Sequence, residues 1–240
     1  MTTSKISCIL AGVFLLLSGC SSTQQYQRSS SPAVGTAWGQ DIHSTVNAVS
    51  AERAQPEPID TIVINYTTRT EPGYDSIYSI RTGELEYAVR DVNFNSLPIT
   101  RIYNHSVGKW QYQLRAKINT PYQLYVRNYS YDTDYEVIAT VDGLDVLNGK
   151  PGSIRNAGYI VRAGDSLIIK GFRKNNSTES AFIFSPLEDS YNAHSAYGDV
   201  RHAGLIGFAT FVLKGKNDKP CAASAFPGDG NEFAPAPCRK

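Results

Sequence analysis

Between Lys109 and Ile118 apolar and polar positions alternate without a break. Trp110, Tyr112, Leu114, Ala116 and Ile118 fall on one side, and Lys109, Gln111, Gln113, Arg115 and Lys117 on the other. A period of two describes a strand with one buried and one wet face, as in an antiparallel sheet. Pro121 breaks the run, and Tyr122, Leu124 and Val126 open a second strand. Tyr129–Asp134 is a polar connection, after which Tyr135, Val137, Ala139 and Val141 alternate again. Upstream, Thr61–Tyr66 is a β-branched run, and Glu84–Val92 sets Leu85, Tyr87 and Val89 against Glu86 and Arg90. Downstream, Tyr159–Arg162 and Leu167–Lys170 flank Ala163-Gly164-Asp165-Ser166, which predicts a tight hairpin because Gly-Asp supplies positive φ. Ala181–Phe184 and Gly204–Leu213 are apolar on both faces, as central strands are.

One stretch breaks the period. Trp38, Ile42, Val46 and Val49 are spaced four, four and three, which places them on one helical face. Gly39 weakens such a helix, and the same residues also suit a strand. The pattern predicts roughly eight to ten short strands and a mainly β, antiparallel β-sandwich with room for one short N-terminal helix. A closed barrel is the alternative. Lys and Arg on the wet faces argue against a transmembrane barrel, whose outer face must be apolar.

The N-terminus follows a different logic. Lys5 precedes an apolar run from Ile6 to Leu17, too short to span a bilayer as a helix but suited to a signal peptide. The run closes on Leu17-Ser18-Gly19-Cys20, which resembles the lipobox of bacterial lipoproteins. The resemblance implies cleavage after Gly19, diacylglycerol on the Cys20 thiol and acylation of the new amine. Ser21, in place of Asp, is the usual outer-membrane case in that family. The implied partner is therefore a membrane, held through acyl chains that each contribute ~0.8 kcal/mol per buried CH₂. The expected organisation is a signal peptide over 1–19, a lipidated N-terminus, spacer and helix over 20–57, a β-sandwich over 58–214 and a tail over 215–240. Tyr122–Phe211 resembles, as a whole, an uncharacterised group of secreted and lipidated proteobacterial proteins. The likeness lies in Val141-Asp142-Gly143-Leu144-Asp145-Val146, Gly158-Tyr159-Ile160-Val161, Gly171-Phe172-Arg173-Lys174, Asp189-Ser190-Tyr191 and Gly204-Leu205-Ile206-Gly207. It implies a single β domain and brings no established activity.

The chain has 240 residues and a formal charge of +1, with no basic block, so a nucleic-acid partner has little support. Cys8 lies in the segment to be removed and Cys20 carries lipid. In an exported chain Cys221 and Cys238 then read as one disulfide, with a metal site as the alternative. The bridge would close a loop of about 17 residues and contribute roughly 3 kcal/mol.

Reactive chemistry is sparse. Asp142, Asp145 and Asn148 offer oxygens to a calcium ion, but their spacing is not that of an EF-hand, and turn formation explains them equally. Asp189, Tyr191, His194, Asp199 and His202 could hold zinc, though no known ligand spacing matches. No G-x-S-x-G elbow or Walker loop is present. Gly171–Asn176 is a basic strand end that keeps an edge wet or meets an anionic surface. Tyr125, Tyr129, Tyr131 and Tyr135 surround one polar connection, as aromatics do where sandwiches stack sugars or grip proteins. The expectation is a non-catalytic outer-membrane lipoprotein that binds or supports an envelope protein and needs no cofactor. A glycan- or peptidoglycan-binding module using Tyr129 and Tyr131 is the second reading, and a metal-dependent hydrolase using His194 and His202 the third.

Overall fold

The computed structural model describes residues 33–69 and 75–215. Its strands are β1 (Val34–His43), β2 (Asp60–Thr67), β3 (Asp75–Ile77), β4 (Ile80–Thr82), β5 (Leu85–Arg90), β6 (Ile99–Asn104), β7 (Lys109–Arg115) and β8 (Pro121–Asn128). They continue as β9 (Tyr135–Val141), β10 (Leu144–Asp145), β11 (Tyr159–Val161), β12 (Ser166–Ile169), β13 (Gly171–Asn175), β14 (Thr178–Pro186) and β15 (Leu205–Val212). One sheet runs β1-β14-β8-β5-β4, with β12 also on β8 and β13 also on β14. The other runs β10-β9-β15-β2-β7-β6-β3, with β11 also on β9. The two sheets pack face to face as a β-sandwich.

The core is where their inner faces meet. Tyr122 stacks on Phe184 with centroids 4.1 Å apart and on Phe182 at 5.3 Å. From the opposite sheet Tyr66 leans on Phe184 at 5.3 Å, and Phe208 on Tyr87 at 5.2 Å. Fully burying an apolar side chain of this size contributes roughly 1.5–3 kcal/mol, so these rings are a large part of what holds the layers together. Tyr87 also reaches across the core, its hydroxyl 2.8 Å from the Thr210 hydroxyl. The two runs apolar on both faces became β14 and β15, each flanked by strands on both sides.

One open alternative is decided and two expectations need correction. The stripe Trp38, Ile42, Val46, Val49, readable as helix or strand over 38–53, begins as a strand: residues 34–43 are β1, paired with β14 from Val34↔Pro186 to His43↔Thr178. A strand satisfies the backbone of β14 along its whole length, which a helix would leave unpaired. Gly39 serves a bulge there, since a Cβ would lie 2.7 Å from the Ala181 carbonyl oxygen. The sandwich therefore includes residues well ahead of the expected boundary at Pro58. Helical turns lie instead at Leu187–Asp189, at α1 (Tyr191–His194) and at Val200–His202.

Residues 159–170 are not a hairpin. β11 pairs with β9 and β12 with β8, so Ala163-Gly164 turns a corner between the sheets. Gly164 does take a positive φ of 73°, and Asp165 N–H donates to the Arg162 carbonyl. Buried Asn128 fixes the corner, its amide donating to the carbonyls of Thr133, Val161 and Arg162. Lastly, β7 is antiparallel to β6 but parallel to β2, so the sheet is mixed. Its expected buried face is covered only toward its end: Leu114 and Ala116 are buried, while Trp110 is 44% exposed beneath Arg101.

Candidate binding face

On the first sheet, alternation sends Arg81 of β4, Glu86, Ala88 and Arg90 of β5, and Gln123, Tyr125 and Arg127 of β8 to the outer side. Registry then aligns them: Arg81 lies opposite Glu86, Glu86 opposite Arg127, and Ala88 opposite Tyr125. β12 extends the rows, with Ser166 beside Arg127 and Ile168 beside Tyr125.

Aromatic rings hold the guanidinium groups in place. Tyr129, just past β8, has Arg81 4.3 Å and Arg127 5.5 Å from its ring centroid. Its hydroxyl donates to Glu86 Oε2 at 2.6 Å. Partial burial works to raise Glu86, but hydrogen bonds from Tyr129 and Ser79 and the charges of Arg90 and Arg81 outweigh it, leaving the carboxyl below its usual range. Donating that bond to the Glu86 carboxylate pushes the Tyr129 hydroxyl up, so it remains a donor.

Arg90 sits between two rings, 3.6 Å from the Tyr125 centroid and 4.0 Å from that of Phe94. Phe94 holds a positive φ of 70°, costly for an aromatic residue. A clamp around Asp91 enforces it: the carboxylate accepts from Asn93 N–H, Asn95 N–H and the Asn95 amide, at 2.8–3.0 Å. Among the described residues none of Arg81, Arg90 and Arg127 forms an ion pair or donates a hydrogen bond, and Arg90 Nε is buried without an acceptor. Stacking leaves the planar donor fork of a guanidinium free to meet an oxyanion.

The tyrosines expected to act together divide. Tyr129 is 40% and Tyr131 98% exposed, whereas Tyr135 is in the core and Tyr125 lies under Arg90 and Phe94. Arg81, Arg90, Arg127 and Phe94 escaped sequence reasoning. Their one signal was arginine at the polar positions of alternating runs, uninformative until register aligns the strands. Cys20, Cys221 and Cys238 lie outside the described residues.

The other candidate chemistry resolves into structure. Asp142 is buried at the tip of a two-residue turn between β9 and β10, with φ of 52°. Its carboxylate accepts from Thr36 N–H at 2.7 Å, Tyr66 Oη at 2.5 Å and Gly204 N–H at 2.8 Å. Thr36 Oγ1 in turn lies 2.7 Å from Tyr66 Oη and 2.6 Å from Tyr122 Oη. Loss of solvent dominates and pushes Asp142 up to about 6, against the pull of those donors. Asp145 is also consumed locally, accepting from Leu147 and Asn148 N–H and from the Asn156 amide. Donors thus occupy the oxygens that a calcium ion would need. His194 contacts the Glu188 carbonyl at 2.8 Å, while His202 packs over Gly143, and among the described residues no group of three His, Cys, Asp or Glu could hold a metal ion.

The basic strand end at 171–176 is not simply solvated: Arg173 is buried and paired with buried Glu179, and only Lys174 reaches outward, to Asp41. On the outer side of the second sheet, Gly207 and Ala209 leave a groove of about 310 Å³ between Val63, Ile138, Ile154 and Leu205, with His202 at one end. Its lining is mostly apolar, with hydroxyls from Thr61, Thr140 and Ser153.

No family model matches the chain, and no curated protein or solved structure is significantly similar to it.

Proposed function

We propose that this chain is a lipid-anchored lipoprotein of the bacterial outer membrane, acting by binding or support in the cell envelope rather than by catalysis. The observation that carries the binding role is the outer face of β4, β5 and β8, where three guanidinium groups are stacked on rings around the single carboxylate of Glu86 and, among the described residues, close no salt bridge. A catalytic site needs an acid, base or nucleophile aimed at one point. The carboxylate on this face is instead held down by its donors and the neighbouring guanidinium charges, and the Tyr129 hydroxyl is pushed up by its bond to that carboxylate. The anchor rests on Leu17-Ser18-Gly19-Cys20 and the apolar run before it.

A second reading, a glycan-binding module, is favoured by the exposure of Tyr129 and Tyr131 beside polar groups. The anchor is tested by radiolabelled palmitate. The native chain should incorporate label and sediment with outer membranes, and Cys20→Ala should do neither. Label that persists in Cys20→Ala refutes the anchor.

A further inference from the structure

We infer that the outer face of β4, β5, β8 and β12 binds an acidic glycan, with its phosphate or carboxylate groups on Arg81 and Arg127 at one end and on Arg90 at the other. The inference rests on the binding role proposed above and is independent of the lipid anchor.

Register supplies the spacing. Arg81 and Arg127 flank Glu86 from the neighbouring strands, so their backbones lie about 10 Å apart. The Arg90 backbone is four residues along β5 from Glu86, about 13 Å away, and its guanidinium folds back over Tyr125, opposite Ala88, where its charge still reaches Glu86. The guanidinium groups thus line a stretch of the face rather than one point, which a chain of sugars carrying acid groups at intervals can follow. Between the two cationic ends lie Ile168 and the exposed edges of Phe94 and Tyr129, 37%, 42% and 40% exposed. Sugar rings present C–H faces that pack on such surfaces, and their hydroxyls need acceptors. Glu86 supplies one: its carboxylate is kept ionised and sits between Arg81 and Arg127.

The same carboxylate decides between kinds of partner. A continuous layer of lipid phosphates would place negative charge directly over Glu86, and among the described residues the exposed aliphatic side chains at this face are Ile168 and, on the turn beside it, Val92, too few to enter a bilayer. A nucleic acid would also meet that repulsion, and the chain's net charge of +1 gives no wider basic footprint. A glycan with discrete charges places hydroxyls where the carboxylate stands and acids where the guanidinium groups stand. Arginine presents a planar fork to either acid, bidentate in its best geometry.

The test uses the full chain purified in detergent, so binding is read whether or not Cys20 is acylated. Polygalacturonate and phosphomannan are titrated, with dextran and oligo(dT) as comparators. We expect one or both acidic glycans to bind and dextran not to. Affinity should fall at least about tenfold between about 0.05 M and about 0.5 M salt, as screening requires. It should also fall about tenfold or more in Arg81→Ser/Arg127→Ser, since each serine removes a charge-assisted hydrogen bond to the acid. Which polymer binds identifies the acid as carboxylate or phosphate. Failure to bind either acidic glycan, equal binding to dextran, tighter binding to oligo(dT), or undiminished binding by the variant would each overturn the inference. If the serine variant does not fold, Arg81→Lys/Arg127→Lys keeps the charge but loses the fork, and undiminished binding by it is equally fatal. Palmitate incorporation with no glycan binding would leave the anchor standing and remove this face.

Discussion

Asp142 makes the stability of this fold depend on pH in a direction opposite to that of most paired carboxylates. Burial pushes it up to about 6, whereas the unfolded chain has an ordinary aspartate near 3.9. Between those values the folded state keeps a proton that the unfolded state has lost. Stability therefore falls as pH rises through that window, and the loss is complete above about 6. The full span amounts to about 3 kcal/mol, of which about 1 kcal/mol falls between pH 5 and pH 7. Asp142→Asn isolates it. Asparagine tolerates the φ of 52° and can still accept from Tyr66 and Gly204, but its amide opposes the Thr36 N–H. That mispairing costs ~1–3 kcal/mol at every pH. The variant should thus be less stable than the native chain, by a margin that shrinks about 1 kcal/mol from pH 5 to pH 7. Urea unfolding followed by tryptophan emission, at several pH values, measures the margin. A margin that is constant with pH, or that widens as pH rises, would refute the reasoning.

Arg173→Met should cost about 3–5 kcal/mol, because it leaves Glu179 buried and charged without its cation. Adding Glu179→Gln should restore more than half of the lost thermal midpoint, and a double variant no more stable than the single one would contradict this account. Two glycines separate steric from conformational effects. At Gly171 a Cβ would fall 1.9 Å from the Ser180 carbonyl oxygen, so Gly171→Ala should cost upwards of about 4 kcal/mol or prevent folding. At Gly83 nothing lies within 4 Å but φ is 56°, so Gly83→Ala should cost only ~1–2 kcal/mol by chemical denaturation.

The strands legible in the sequence are those whose period of two is enforced by the core. β5, β8 and β9 each alternate because every second side chain enters the space between the sheets. β1 was ambiguous because the spacing of Trp38, Ile42 and Val46 satisfies a helix, while the force that makes it a strand is the long edge of β14, remote in sequence. The corner at Gly164 shows the same limit. Local chemistry correctly called for a positive φ, but Asn128 and the separate partners of β11 and β12 decide where the chain goes next. The binding face was hidden more deeply still. Arg90 reads as an ordinary wet position until Phe94, forced round by Asp91, closes over it. Tyr129 was visible as an aromatic beside a polar turn, but its two guanidinium neighbours arrive from other strands.

The bond between Thr36 and Asp142 joins positions 106 apart in the chain, and β1 finds its ladder only when β14 is present. Domains dominated by such distant pairings fold slowly, in milliseconds to seconds, because loops must close before contacts reward the closure. As the chain leaves the ribosome, β1 has no seat until residue 186 has emerged. The domain is thus assembled late and nearly all at once, and for most of its synthesis the chain is a substrate for chaperones and proteases rather than a folded object.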